Sequence, residues 1–128
     1  MMKHLFIAAI SCLLLCSCAN SGRLYFDIKS QAIVACSGHI AEIDIETPTN
    51  TIVVKSKAAN KPIRIGKPNP DYQISIDGES QPGYEIILQP HTSYIVRTEN
   101  GSDDGPGALT LSTNAEGMVM SASHTDCN

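Results

Sequence analysis

The histidines of this chain lack the spacing of a metal or catalytic site. His39, His91 and His124 lie far apart in sequence. No two of them have the HxH or HxxxH spacing that brings two imidazoles of one element onto a metal ion. Asp126 follows His124 closely and serines are plentiful, but no GxSxG nucleophile elbow accompanies them. We therefore expect exposed turn histidines, no metal, no cofactor and no catalytic residues, and hence not an enzyme.

Carboxylates cluster at two places. Glu42, Asp44 and Glu46 alternate with apolar residues, so on a β-strand they share one face. They could bind calcium or contact a basic partner, but calcium usually requires a loop that wraps oxygens around the ion. A solvated acidic face is the expectation. The second cluster, Ser102-Asp103-Asp104-Gly105, lacks the EF-hand spacing and is expected to be a turn.

Basic residues are concentrated in one stretch without acids, which we call the basic segment. Its members are Lys55, Lys57, Lys61, Arg64 and Lys67. One sign of charge at this density can steer a charged protein partner or contact anionic headgroups. The alternative is that the lysines merely protect an edge strand from aggregation. We call Glu42, Asp44 and Glu46 the acidic row. The stretch Thr47–Asn50 is short enough for a hairpin that pairs the acidic row with the start of the basic segment. This leaves Lys61, Arg64 and Lys67 as the free cationic surface and the candidate partner-binding residues.

The N-terminus has the pattern of an export signal. Lys3 and His4 precede an apolar stretch, Leu5–Leu15, of about eleven residues, which is too short to span a bilayer as a helix. The following Leu15-Cys16-Ser17-Cys18 resembles a bacterial lipobox. The resemblance implies a signal peptide at 1–17, a lipidated (palmitate-bearing) Cys18 with a tether at 18–22, and a single domain at 23–128. The alternative is a secretory peptide cut near Ala19, without lipid.

Cysteine parity predicts one disulfide. Of the five cysteines, two precede the lipobox cysteine and are removed with the signal peptide, and lipid occupies Cys18. Cys36 and Cys127 remain, and disulfides persist in an oxidising compartment. Two unpaired thiols are the alternative.

Ala19, rather than Asp, follows Cys18, which favours a periplasmic protein anchored at the outer membrane.

Composition excludes several classes of protein. The 128 residues suffice for one domain, with 42% hydrophobic and 17% charged residues. This is globular rather than disordered composition. The net charge of −4 and the absence of Trp argue against nucleic acid as a partner.

A period of two dominates the chain after the leader and predicts β-strands throughout. The predicted strands are Leu24–Lys29, Ala32–Cys36, Ala41–Glu46, Ile52–Lys57, Ile63–Ile65, Tyr72–Asp77, Tyr84–Gln89, Leu109–Leu111 and Met118–Met120. Turn residues separate them, among them Asp77-Gly78 and Asn100-Gly101, which tolerate positive φ. The expected fold is all-β, a small antiparallel β-sandwich.

One motif sharpens the fold class. Leu88-Gln89-Pro90-His91-Thr92-Ser93-Tyr94 resembles the tyrosine-corner pattern Leu-x-Pro-x-Thr-x-Tyr of fibronectin type III domains. The resemblance implies an immunoglobulin/fibronectin III-like sandwich, with Leu88 in the core and the Tyr94 hydroxyl bonded to nearby backbone. The Trp usual in an early strand of that family is absent.

The overall form also resembles immunity lipoproteins found beside type VI secretion effectors. A lipobox, a short all-β body, two late cysteines and no catalytic set carry this resemblance. It implies a membrane-anchored protein-binding module that neutralises a secreted toxin by binding it. The alternative function is a structural or assembly lipoprotein of the cell envelope.

Overall fold

The computed structural model describes residues 23–36, 42–56, 61–80, 85–98 and 108–127. These residues form strands and no helix. In chain order the strands are β1 (Leu24–Asp27), β2 (Ala32–Ala35), β3 (Glu42–Glu46), β4 (Thr51–Ser56), β5 (Ile63–Arg64), β6 (Tyr72–Ile76), β7 (Glu79–Ser80), β8 (Ser93–Thr98), β9 (Ala108–Thr113) and β10 (Val119–Ala122). The all-β prediction is confirmed.

Two antiparallel sheets pack face to face. The smaller sheet has the order β1-β2-β5, and the larger has the order β10-β9-β8-β3-β4-β6-β7. The β1–β2 pair has the A-B neighbour order of an immunoglobulin-type sandwich, with β5 on the other side of β2, and β3, β8 and β9 have its C-F-G order. The remaining strands extend the larger sheet at both edges. The arrangement is consistent with the expected immunoglobulin/fibronectin III-like class.

The core forms because alternate residues of each strand point to the same side. β3 shows this directly, since Ile43 and Ile45 are fully buried between half-buried acids. The largest fully buried side chains are Tyr72, Phe26, Ile33, Ile43, Ile45, Ile63, Ile74, Ile86, Leu109, Leu111, Val54 and Val96. Burial of each such side chain contributes about 1.5–3 kcal/mol relative to leaving it exposed.

Tyr94 forms the corner that its motif predicts. It lies in β8, the strand equivalent to F, and is only 2% exposed. The backbone N–H of Gln89 donates to the Tyr94 hydroxyl at 2.8 Å. Leu88 is buried beside it in the core cluster. The hydroxyl therefore satisfies a backbone donor at the entry to β8, as in the fibronectin pattern.

The predicted strand Tyr84–Gln89 is wrong as a strand, although its alternation is present. Ile86 and Leu88 are buried and Ile87 is exposed. The described part of the segment, 85–89, makes only isolated bridges, Ile65 with Ile86 and Pro68 with Glu85. Period two reports which side chains face the core, but a ladder also needs a neighbouring strand in register. Tyr84 lies outside the described residues, as does Asn100-Gly101.

The turn predictions hold where the structure describes them. Asp77 and Gly78 both have positive φ (51° and 90°) and form the two-residue loop between β6 and β7. Thr47–Asn50 closes the β3–β4 hairpin, in which Glu46 faces Thr51 and Glu42 faces Lys55. The hairpin therefore pairs the acidic row with the start of the basic segment, as expected.

The disulfide predicted from cysteine parity is present in the structure. Cys36 and Cys127 are bonded with their Cα atoms 5.6 Å apart, within the usual range. The C-terminal tail that carries Cys127 runs beside β1, where the Phe26 N–H donates to the His124 carbonyl at 2.9 Å. The bond thus links the end of the chain to the end of β2. Cys18 and the leader 1–22 lie outside the described residues, and lipidation stays a prediction.

A single glutamine joins the two sheets on this side of the sandwich. Gln31, in the β1–β2 turn, donates from Nε2 to the carbonyls of Ile28 and Val119, both at 2.8 Å. Its Oε1 accepts the Val119 N–H at 2.8 Å. The amide therefore pairs with edge strand β10 as a neighbouring strand would. We call the region of β1, Gln31, β10 and the tail 123–127 the closed side.

Candidate functional site

The acidic row is neutralised within the larger sheet. The Glu42 carboxylate lies 3.6 Å from the Lys55 ammonium across the hairpin. Glu46 forms an ion pair with Arg97 of β8, and Asp44 lies opposite Arg97 in the same register. The three acids are half-buried. The expected acidic face is therefore present but only partly solvated, because Lys55 and Arg97 pair with two of its carboxylates across the strands.

The other end of the basic segment lies at β5, which is the edge of the smaller sheet opposite to β1. Lys61, Arg64 and Lys67 are all exposed there, whereas Lys57 lies outside the described residues. The structure thus separates the segment into two parts. Lys55 is paired on the face of the larger sheet, and the three candidate partner-binding residues gather around the loop 65–71. We call this region the open side.

Asn69 shapes the open side. It is buried, and its Oδ1 accepts the Arg64 N–H at 2.8 Å while its Nδ2 donates to the Arg64 carbonyl at 2.9 Å. The amide also donates to the Lys67 carbonyl at 3.2 Å. These bonds satisfy both backbone groups of Arg64 on the edge of β5. Arg64 is consequently held between β2 and Asn69.

The three cations differ in their partners. The Arg64 guanidinium donates from Nη2 to the Pro68 carbonyl at 3.0 Å, which orients the group along the loop. The Lys61 ammonium lies 3.2 Å from the Asp71 carboxylate. The prediction that Lys61 is free is therefore wrong, because an acid just past the basic segment folds back onto it. Within the described ranges, neither Arg64 nor Lys67 lies in salt-bridge distance of a carboxylate.

Tyr72 closes the floor of this region. Its ring is buried at the start of β6, and its hydroxyl donates to the Lys61 carbonyl. Burial raises the pKa of Tyr72 above its ordinary value of 10.0, and the neighbouring Asp71 carboxylate raises it further. The hydroxyl therefore stays protonated at neutral pH and links the segment before β5 to the larger sheet.

These residues surround a groove of about 380 Å³. We call this space the groove. It is lined by Ser30, Ala32, Lys61, Pro62, Arg64 and residues 68–72. Three exposed prolines give it apolar walls above the buried Tyr72 ring, and the exposed Arg64 also lines it. Proline restricts the backbone, and the Asn69 bonds fix the loop, so the groove is preformed.

The remaining candidates that the structure describes form no second site. His91 is exposed at positive φ (49°) in the corner turn, as expected for a turn histidine, and His124 is half-buried beside Ser123. His39 and the acidic turn at Ser102–Gly105 lie outside the described residues. Among the described residues no group of three His, Cys, Asp or Glu side chains could hold a metal ion. Nor do these residues form a helix long and apolar enough to cross a membrane.

Sequence analysis missed Asn69 and Asp71. Both stand in the loop cluster Gly66–Asp71, where Pro-Asn-Pro-Asp indicates a turn and nothing more. Comparison of the chain with protein-family models, curated proteins and solved structures gives no significant match.

Proposed function

We propose that this chain is a lipid-anchored protein of the bacterial periplasm that acts as a protein-binding module, and that it neutralises a secreted toxin by binding it. The observation that carries the proposal is a pair of exposed cations on a small disulfide-closed sandwich: Arg64, which lines the groove, and Lys67, which lies in the adjoining loop. The acidic row is paired internally. The groove is therefore the charged surface that is open to a partner.

The position of the tether is compatible with this role. The lipobox-like Leu15-Cys16-Ser17-Cys18 supports an anchor at Cys18. Residues 18–22 would extend over at most about 18 Å, at 3.3–3.6 Å per residue. The tether enters the domain at Arg23, whose carbonyl accepts the Cys36 N–H at 2.9 Å. The disulfide end of the sandwich would therefore face the membrane.

The anchor is tested by fractionation of cells that express the full chain or its Cys18→Ala variant. We expect the wild type in the membrane fraction and the variant in the soluble envelope fraction. A Cys16→Ala variant controls for damage to the leader, since Cys16 is removed with the signal peptide. A wild-type protein that is soluble, or a Cys18→Ala variant that stays membrane-bound, would contradict the anchor.

The partner surface is tested by the rate of binding to the secreted protein encoded beside this chain's gene. In the double variant Arg64→Glu/Lys67→Glu, association at low salt should slow about tenfold or more, because steering by opposite charge is lost. The double variant Arg23→Glu/Lys55→Glu has the same net charge but lies away from the groove, and should slow it far less.

Protection of cells from that secreted protein distinguishes immunity from the second candidate. An immunity protein is needed only when the toxin is present. A structural or assembly lipoprotein would instead cause an envelope defect when its gene is deleted, with or without the toxin. That result, together with no binding by the wild type, would replace the proposed function with the structural one.

A further inference from the structure

We infer that the groove receives an acidic side chain of an extended partner segment and that Arg64 binds its carboxylate. The inference rests on the proposed function, since it names the chemistry of the same partner. It goes beyond a general cationic surface because it assigns one anchor residue and one kind of ligand group.

Arg64 is the cation that the fold prepares for a ligand. Its backbone is fixed by Asn69 on one side and faces Ala32 on the other. One guanidinium nitrogen donates to the Pro68 carbonyl. A guanidinium has five N–H donors in a planar fork that matches a carboxylate. The Pro68 bond orients this fork while leaving donors for an incoming group.

The walls of the groove match the rest of such a segment. The exposed Pro62, Pro68 and Pro70 offer apolar surface beside Arg64. An extended segment places alternate side chains on the same side, so an acid bound to Arg64 brings the residues two positions before and after it against these walls. The groove is too small for a folded domain, and its volume of about 380 Å³ suits a few side chains.

Asp71, the acid that lines the groove, does not pair with Arg64. Asp71 is directed to Lys61, 3.2 Å away, rather than to Arg64. Residues 61–70 contain no other acid. Asp71 therefore partly neutralises the groove, and its removal would strengthen the attraction for a carboxylate.

The probe is the peptide Leu-Ala-Glu-Ala-Leu-amide, labelled with fluorescein at its N-terminus, with its Gln counterpart as the neutral isostere. The two Leu residues lie two positions from the Glu and therefore share its side of an extended chain. Binding to the full chain in detergent is followed by fluorescence anisotropy at low salt. The Glu peptide should bind about tenfold or more tightly than the Gln peptide, since hydrogen bonds between charged groups are the strong ones. The Arg64→Gln variant should lose this preference, and Arg64→Lys should recover only part of it. The Lys55→Gln variant should retain it.

Asp71→Asn provides a test in the opposite direction. It frees Lys61, so the Glu peptide should bind several-fold more tightly. Glu116→Gln, an equal change of charge in the β9–β10 turn, should leave the affinity nearly unchanged. This test does not depend on the folding of an Arg64 variant, which a thermal melt checks independently.

Equal affinity for the two peptides, no binding of either, or an Asp71→Asn variant that binds no better would overturn the inference. The proposed function has its own readouts, namely release of Cys18→Ala from the membrane and protection from the neighbouring secreted protein. If those succeed while the peptide shows no Glu preference, the function stands and the groove assignment fails.

Discussion

The two sides of the sandwich use the same chemistry to opposite effect. On the closed side, the Gln31 amide pairs with the N–H and carbonyl of Val119, 88 residues away. On the open side, the Asn69 amide pairs with both backbone groups of Arg64, only five residues away. Each amide replaces the neighbouring strand that an edge lacks. The first joins two sheets, whereas the second holds a loop and leaves a groove beside it.

The difference shows how a small sandwich manages its edges. An uncovered edge strand is a template for aggregation, so it must be blocked or twisted away. The closed side is blocked by Gln31, by the tail along β1 and by the disulfide. The open side satisfies its edge locally and directs Arg64 outward. Stability should therefore depend mainly on the closed side, and binding on the open side.

Loss of the disulfide is expected to have the largest effect. The double variant Cys36→Ser/Cys127→Ser removes a crosslink that spans 91 residues. On the chain-entropy model it should reduce the free energy of unfolding by about 4–5 kcal/mol. Urea denaturation of variant and wild type measures the change. Reduction of the wild type should give a similar loss, and two alkylatable thiols in the unreduced wild type would contradict the bond.

Loss of the Gln31 side-chain amide should have the next largest effect on stability. Gln31→Leu keeps the size of the side chain but leaves the Val119 N–H and carbonyl unpaired. Unsatisfied buried groups cost about 1–3 kcal/mol, so we expect a loss of about 2–3 kcal/mol in urea denaturation. Gln73→Leu, at an exposed position of β6, is the matched control and should change stability little. Equal urea midpoints for the two variants would show that the Gln31 amide does not join the sheets.

Substitution of two glycines tests how closely the backbone is packed at Gly117, in the β9–β10 turn, and at Gly66, on the open side. Gly117 and Gly66 have nearly the same positive φ, 79° and 77°. A Cβ at Gly117 would lie 2.6 Å from the Leu88 carbonyl oxygen, whereas a Cβ at Gly66 would meet nothing within 4 Å. Gly66→Ala should therefore cost only the backbone strain, about 1–2 kcal/mol. Gly117→Ala should cost more, measured as a lower melting temperature. Identical losses would indicate that the close approach relaxes freely.

Tyr72 should give the smallest effect at neutral pH and a clear one at alkaline pH. Its raised pKa means that the folded protein keeps the hydroxyl proton after the unfolded chain begins to release it, near pH 10.0. The stabilisation is thus complete below that pH and is lost as the pH rises through the folded pKa. In urea denaturation across this range, Tyr72→Phe should show a shallower fall in stability than the wild type. Parallel slopes would contradict the shift.

Much of the fold could be predicted because its causes are local. The alternation in β3 and the Asp77-Gly78 turn each depend on neighbouring residues, and the structure shows both. The Leu88–Tyr94 motif predicted the corner in the same way. The strand prediction for Tyr84–Gln89 failed because its cause is not local. Burial alternates there, but whether a segment gains a strand partner depends on other parts of the chain.

The candidate site could be predicted only in part. The basic segment indicated Lys61, Arg64 and Lys67, and all three lie on the open side. Their partners could not be predicted from the sequence. Asp71 lies next to the segment, but only the fold of the loop brings it to Lys61 and away from Arg64.

The sequence by itself determined most of the strands and their buried faces, the tight turn and the pairing of the last two cysteines. Side-chain period, glycine positions and cysteine parity are properties that neighbouring residues or simple counts carry. Only the tertiary structure decided which edges are closed and where a groove remains. An amide such as that of Gln31 or Asn69 can pair with any backbone group in reach, and reach is set by the packing of sheets that the chain brings together from distant positions.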